Sequence, residues 1–282
     1  KQVVRFFVNM ISTWSLCQSA SALSKQPEDE LRSTESEIRI TLSQSAFEKL
    51  QHALELGTPE STRVDMYFDI PADGVFLLNR DLPAAKQRIR YKDGELNLQK
   101  SWVLGAVAYS DQGFRYLLSE KQSVKQELSA KSHIHKKMNH TFDLLEAVLE
   151  HGSMGADQKR YLEKLWKPMP WPKLKPFDDI IGRPPAPFVP AAVVKKERWK
   201  YTLETSSHEK FKIQLGKDSN ALGPTQKIYY ELECELKDTE SLQVTDRLKA
   251  ISDLLIENDI LVNETSEISD HDFLSDLAAI YP

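Results

Sequence analysis

Charged residues occupy every second position in three well-separated stretches of this chain: Glu35-Ser36-Glu37-Ile38-Arg39, Gln87-Arg88-Ile89-Arg90 and Glu231-Leu232-Glu233-Cys234-Glu235. In a β-strand, residues i, i+2 and i+4 share a face, so each stretch read as a strand aims its charges one way and Ile38, Ile89, Leu232 and Cys234 the other. An ordinary half-buried strand puts its apolar row against the core and its polar row in water. Carboxylate rows on two strands and a guanidinium row on a third predict the inverse arrangement, a closed sheet with charge inside and helices covering the outer wall. For any one stretch alone, a solvated face is the simpler reading; the joint pattern favours convergence.

Such an interior has a physical use. Clustered carboxylates repel one another unless a divalent cation lies between them, and clustered Arg and Lys call for an anion with many oxygens. A metal ion together with a polyphosphate satisfies both. The formal net charge of −5 argues against bulk nucleic-acid binding, so any anion site is a local concentration of positive charge. The two cysteines, Cys17 and Cys234, are too distant in sequence and too few for a disulfide framework or a CxxC metal site.

Residues 1–34 read as a leader and linker. Lys1 and Arg5 precede an apolar run from Phe6 to Cys17, followed by Ala20-Ser21-Ala22, the pattern of an export signal; export to a periplasm or beyond is one expectation, and a cytoplasmic protein with a short leader the other. Nothing later approaches the length of a membrane span. Beyond the linker the expected order is a first set of strands over 35–121, an insertion over 122–192, and further strands with a helical tail over 193–282. Ser45 and Glu48 predict a capping box for a helix through Phe47, Leu50 and Leu54, with Gly57 closing it. Strands are predicted at Arg63–Ile70, Lys86–Tyr91, Glu95–Trp102, Val193–Glu204, Glu209–Leu215 and Lys227–Leu236, with one or two more between Val103 and Ser119. Lys92-Asp93-Gly94 predicts a tight hairpin. The period turns helical from Gln122 to Trp166, and eight prolines between Pro168 and Pro190 predict an extended loop. The tail from Leu242 to Tyr281 reads as helix, with Leu248, Ile251, Leu254 and Leu255 in one stripe.

These segments resemble the CYTH, or triphosphate tunnel metalloenzyme, superfamily. Glu35-Ser36-Glu37-Ile38-Arg39 resembles its opening ExExK motif, Met66-Tyr67-Phe68-Asp69 its YFDT strand, Gln87-Arg88-Ile89-Arg90 its LRIR, Leu96-Asn97-Leu98-Gln99-Lys100 its LTxK, Lys196-Glu197-Arg198 its KxR, and Glu231-Leu232-Glu233-Cys234-Glu235 its closing ELExE. They follow in the family's order over roughly 35–120 and 193–260. The resemblance implies an α+β fold: an antiparallel eight-stranded β-barrel, open as a tunnel, with peripheral helices and here a helical and Pro-rich insertion. It implies hydrolysis of a triphosphate or short polyphosphate with Mg²⁺ or Mn²⁺. Glu35 and Glu37 would be metal ligands, and Glu231 and Glu233 further ligands or holders of the attacking water. Arg39, Arg88, Arg90, Lys100, Lys196 and Arg198 would contact phosphate oxygens, a task suited to bidentate guanidinium groups.

Two departures stand out. The lysine of ExExK is Arg39, and the strand after Lys100 lacks a clear RxExE: Arg115 and Glu120 have an odd separation that puts them on opposite faces, so a metal ligand is missing from the pattern. His133, His135 and His140 include an HxH without a fourth ligand nearby and read as exposed positions. Three functional classes follow: a metal-dependent phosphohydrolase, a non-catalytic binder of polyphosphate or a phosphorylated ligand on the same fold, and an interaction protein whose interior charges only pair with one another.

Overall fold

The computed structural model describes residues 31–69, 71–72, 75–76, 84–92, 95–127, 189–220, 227–236 and 241–265. The expected export signal, the run past Glu127, the proline-rich stretch before Val189 and the tail after Thr265 lie outside the described residues. Among the described residues are ten strands: β1 (Leu31–Leu42), β2 (Ser61–Asp69), the short β3 (Pro71–Ala72) and β4 (Val75–Phe76), β5 (Ala84–Lys92), β6 (Glu95–Tyr109), β7 (Arg115–Glu127), β8 (Val189–Glu204), β9 (Lys210–Asn220) and β10 (Ile228–Leu236). The same residues include two α-helices, α1 (Gln44–Ala53) and α2 (Ser241–Glu257).

Eight long strands pair antiparallel in the order β1-β10-β9-β8-β2-β5-β6-β7, and β7 returns to β1, closing the ring; β3 and β4 form a separate two-stranded ribbon. The closure is explicit in the registers: Arg39 lies opposite Glu233 of β10 on one side and Leu117 of β7 on the other. A ring has no open edge, so each long strand finds backbone partners on both flanks.

The two sides of the wall carry different chemistry. Ile38 and Ile40 of β1, Leu232 and Cys234 of β10, and Ile213 and Leu215 of β9 form one buried apolar cluster with Phe47 and Leu50 of α1 and Leu248, Ile251 and Leu255 of α2. This is the outer wall, and the helices cover it as the alternation demands. Burial of several such side chains, each stabilising by roughly 1.5–3 kcal/mol, fixes which face of each strand points inward. Cys234 belongs to this cluster, and burial pushes its thiol up to about 11. Trp199 packs edge-on against Phe47 at 5.5 Å and donates its indole N–H to the carbonyl of Gly57 at 2.8 Å.

Several sequence expectations need correction. The N-cap of α1 is Ser43, whose Oγ accepts from the Ala46 N–H at 3.1 Å, and Glu48 instead accepts from Gln44; the helix stops at Ala53, four residues short of Gly57. Gln122–Glu127 is strand, because β7 pairs there with β6 on one flank and β1 on the other. β9 continues past Leu215 to Asn220, and β6 past Trp102 to Tyr109. The helical tail breaks after Glu257, followed by a 3-10 turn at Val262–Glu264. Pro190 stands within β8, opposite Phe68, where the β2–β8 register shifts; an irregular ladder is where a strand tolerates the missing N–H.

Candidate functional site: the charged barrel interior

Strand pairing carries the charged rows into one interior. Asp65 and Tyr67 of β2 lie opposite Arg90 and Arg88 of β5, Arg88 lies opposite Gln99 of β6, Arg63 opposite Lys196 of β8, and Lys196 opposite Asp218 of β9. Glu231 and Glu233 of β10 lie opposite Gly216 and Gln214 of β9, and Glu35 and Glu37 of β1 opposite Lys121 and Ser119 of β7. The rows also sense one another across the ring: Arg88 and Arg90 both act on the Glu35 carboxylate.

One cluster surrounds Asp65, which is fully buried. Arg90 grips it with both Nε (2.8 Å) and Nη2 (3.0 Å), and Arg88 Nη1 stands 3.0 Å from Oδ2. Arg88 also donates to the Tyr67 hydroxyl at 3.2 Å and twice to Gln99 Oε1, at 3.0 and 2.6 Å. Burial alone would raise the Asp65 pKa, but Arg88 and Arg90 outweigh it and hold the carboxyl well below its ordinary range. Arg63 is different. Its Nε is buried without a hydrogen-bond partner, and burial, aided by the neighbouring Arg90, pushes its pKa down to about 10. Among the described residues it forms no ion pair, and the attraction of Asp65 does not offset the burial and the neighbouring guanidinium groups.

A second cluster spans β8, β9 and β10. Asp218 accepts from both Lys196 and Arg198, and Arg198 reaches on to Glu231 Oε1 at 2.9 Å. Gly216 makes this crossing feasible: a Cβ there would stand 2.8 Å from Glu231 Cγ and 3.0 Å from Arg198 Cζ. Burial pushes Asp218 up and is outweighed by Arg198 and Lys196, leaving it lowered to about 2. Glu231 goes the other way: burial raises it and Arg198 only partly offsets the rise. Its Oε2 is buried without a hydrogen-bond partner. The Lys196 ammonium also lies 5.7 Å from the centroid of the Tyr67 ring, linking this cluster to the first.

The third cluster is the acidic one. Glu35 Oε2 and Lys121 Nζ are 2.5 Å apart. Glu37 Oε1 accepts from Arg39 at 2.8 Å and from Ser119 Oγ at 2.9 Å, and Arg39 Nε stands 3.8 Å from Glu233. A hard divalent ion takes several oxygen ligands at one point. Among the described residues, no group of three or more His, Cys, Asp and Glu is placed to hold one. Glu35, Glu37 and Glu231 each already carry a cationic side chain, so this donor set does not fit Mg²⁺ or Mn²⁺ as it stands.

Of the residues singled out from sequence, Glu35, Glu37, Arg39, Arg88, Arg90, Lys196, Arg198, Glu231 and Glu233 come together in this interior. The backbone of Lys100 pairs with Gln87, next to the Arg88–Gln99 pair, and the polar group that Arg88 meets is Gln99. Lys200, Lys210 and Lys212 are exposed. Sequence reasoning missed Arg63, Asp65, Lys121 and Asp218. The alternation Arg63-Val64-Asp65-Met66-Tyr67 carried the signal for the first two; Lys121 and Asp218 lay two and three residues beyond the strand ends expected at Ser119 and Leu215.

No family model matches the chain, and no curated protein matches it. Solved structures do. A candidate adenylyl cyclase from Hippeastrum, described as revealing a dominant triphosphatase activity, is 20% identical over 86% of this chain and 95% of its own, with a TM-score of 0.47. A candidate adenylate cyclase from Vibrio parahaemolyticus is 11% identical over 89% of this chain and 99% of its own, at 0.35. The S. pombe Pct1 RNA triphosphatase is 13% identical over 98% of this chain and 93% of its own, also at 0.35. The likeness to CYTH and triphosphate-tunnel proteins thus spans most of the chain, at scores too low to bear on function, which has to be read from the side chains above.

Proposed function

We propose that this protein binds a short polyphosphate, of the triphosphate class, inside the barrel through Arg63, Arg88, Arg90, Lys196 and Arg198. The observation that carries the reading is Arg63: a cation whose pKa burial has lowered, facing the interior beside Arg88, Arg90 and Arg198, with no ion pair among the described residues and with Asp65, which acts on it, already held by Arg88 and Arg90. A row of phosphate oxygens supplies what that cluster lacks, and guanidinium groups bind such oxygens in pairs. Asp65 and Asp218 then act as fixed counter-charges that aim the basic side chains. Tripolyphosphate added in the presence of a chelator should raise the melting temperature, by an amount that grows with the logarithm of its concentration. No rise at any concentration would end the reading.

Hydrolysis of the bound chain is the second reading, favoured by one observation: Glu231 combines a raised pKa with a buried oxygen, Oε2, that no protein group occupies. Such a carboxylate is suited to accept a proton from an attacking water, with Arg198 and Lys196 stabilising charge on the departing phosphate. Release of phosphate from tripolyphosphate, with and without Mg²⁺ or Mn²⁺, that disappears in Glu231→Gln would establish it. Binding without release leaves the protein a receptor.

A further inference from the structure

We infer that Lys121 is a built-in cation, occupying the place beside Glu35 and Glu37 that the sequence motif on β1 would reserve for a divalent ion, and that binding of phosphate in this barrel is therefore independent of metal. The inference deepens the binding reading above and rests on it for its ligand. Glu35 and Glu37 are neighbours on one face of β1, a placement that concentrates negative charge. Opposite them in direct register, β7 presents Lys121 and Ser119. The ammonium contacts Glu35 at 2.5 Å, while Ser119 and Arg39 take Glu37 Oε1. The inward positions of β7 that flank this pair are Ser119 and Ser123, so the positions next to Lys121 on that face of the strand bring no carboxylate to recruit a metal past the ammonium.

The test is a titration of the full chain with Mn²⁺ alone, followed by the magnetic resonance signal of free Mn²⁺. Wild type should show no saturable site involving Glu35. Lys121→Ala should gain one, with at least about tenfold tighter Mn²⁺ binding, and adding Glu35→Gln to it should remove the gain; Lys121→Arg should behave as wild type. Should Lys121→Ala fail to fold, Lys121→Met keeps the side-chain volume and serves the same comparison. Saturable Mn²⁺ binding by wild type that Glu35→Gln abolishes would overturn the inference, as would a folded Lys121→Ala or Lys121→Met without gain. These readings use no phosphate, so they fail or succeed separately from tripolyphosphate binding in chelator.

Discussion

The two sides of the barrel interior solve the same electrostatic problem in opposite ways. On the side of β1, β7 and β10, carboxylates are the majority and are neutralised from within the wall: Glu35 by Lys121, Glu37 by Arg39 and Ser119. On the side of β2, β5 and β8, Asp65 stands among Arg63, Arg88 and Arg90 and pairs with Arg88 and Arg90, and among the described residues Arg63 forms no ion pair. Burying charge is tolerable only when each charge meets a partner; Glu35 and Glu37 meet theirs across β1 and β7, whereas Arg63 forms no ion pair among the described residues. The difference locates where a ligand is needed.

The strongest way to break this comparison is to remove Asp65, the carboxylate that Arg88 and Arg90 share. Asp65→Asn leaves Arg63, Arg88 and Arg90 buried together, and breaking a buried pair in this way costs about 3–5 kcal/mol. The midpoint of urea unfolding should fall accordingly, and tripolyphosphate should recover more of the loss in this variant than it adds to wild type. An equal shift in both would mean that the phosphate chain binds elsewhere. Next in size is Gly216→Ala. The added methyl would meet Glu231 and the Arg198 guanidinium at 2.8 and 3.0 Å, so one of them must move, at a cost of about 1–3 kcal/mol. That variant disturbs the link from Arg198 to Glu231 and leaves the Asp65 cluster as it is.

Acid titration sharpens the contrast within a single cluster, because Asp218 and Glu231 both face Arg198 and shift oppositely. The folded pKa of Asp218 is depressed from 3.8 to about 2, so its contribution is fully present above pH 3.8 and is lost as the pH falls toward about 2. A shift of that size corresponds to about 2 kcal/mol. Glu231, raised above 4.5, weakens the fold while it is charged, and that penalty lifts as the pH falls through its folded pKa. Stability measured against pH should thus be lost below about pH 4 in wild type, and Asp218→Asn should flatten that loss; an unchanged slope would detach Asp218 from the acid transition.

Much of this was legible in the sequence, and what escaped did so for a physical reason. Alternation of charge was enough to place Glu35, Glu37, Arg88, Arg90, Glu231 and Glu233 on inward faces, because the period of a strand leaves only two faces to choose from. Asp218 escaped because Gly216-Lys217-Asp218-Ser219-Asn220 has the composition of a turn; it is strand because β8 and β10 pair with it on both sides, and ladder pairing overrides local preference. Lys121 escaped because β7 lacks a clean alternation: Leu117 stands inward among polar residues, and Glu120, though buried, has the parity of the outer wall. Arg63 stood in plain view, one strand period from Asp65, but a lone arginine beside an aspartate reads as half of a salt bridge. Only the register shows that Arg90 and Arg88 already take that aspartate.

Arg63 therefore offers the finest cut between the two sides of the interior, and the smallest expected effect on the fold. Removing a partly buried cation that forms no ion pair among the described residues takes away a desolvation cost along with the packing of its stem, so Arg63→Ala should change the unfolding free energy little, within about 1 kcal/mol either way. Its effect on ligand should be larger than its effect on stability: about tenfold weaker tripolyphosphate binding, equivalent to about 1.4 kcal/mol, by calorimetric titration in chelator. Lys121→Ala, on the acidic side, should leave that affinity nearly intact. If the two substitutions weakened tripolyphosphate equally, the ligand would span both sides of the barrel and the division between a self-neutralised wall and an open one would fall. A stable Arg63→Ala with unchanged affinity would move the phosphate chain away from β2 altogether, leaving the surplus guanidinium as a cost the fold simply bears.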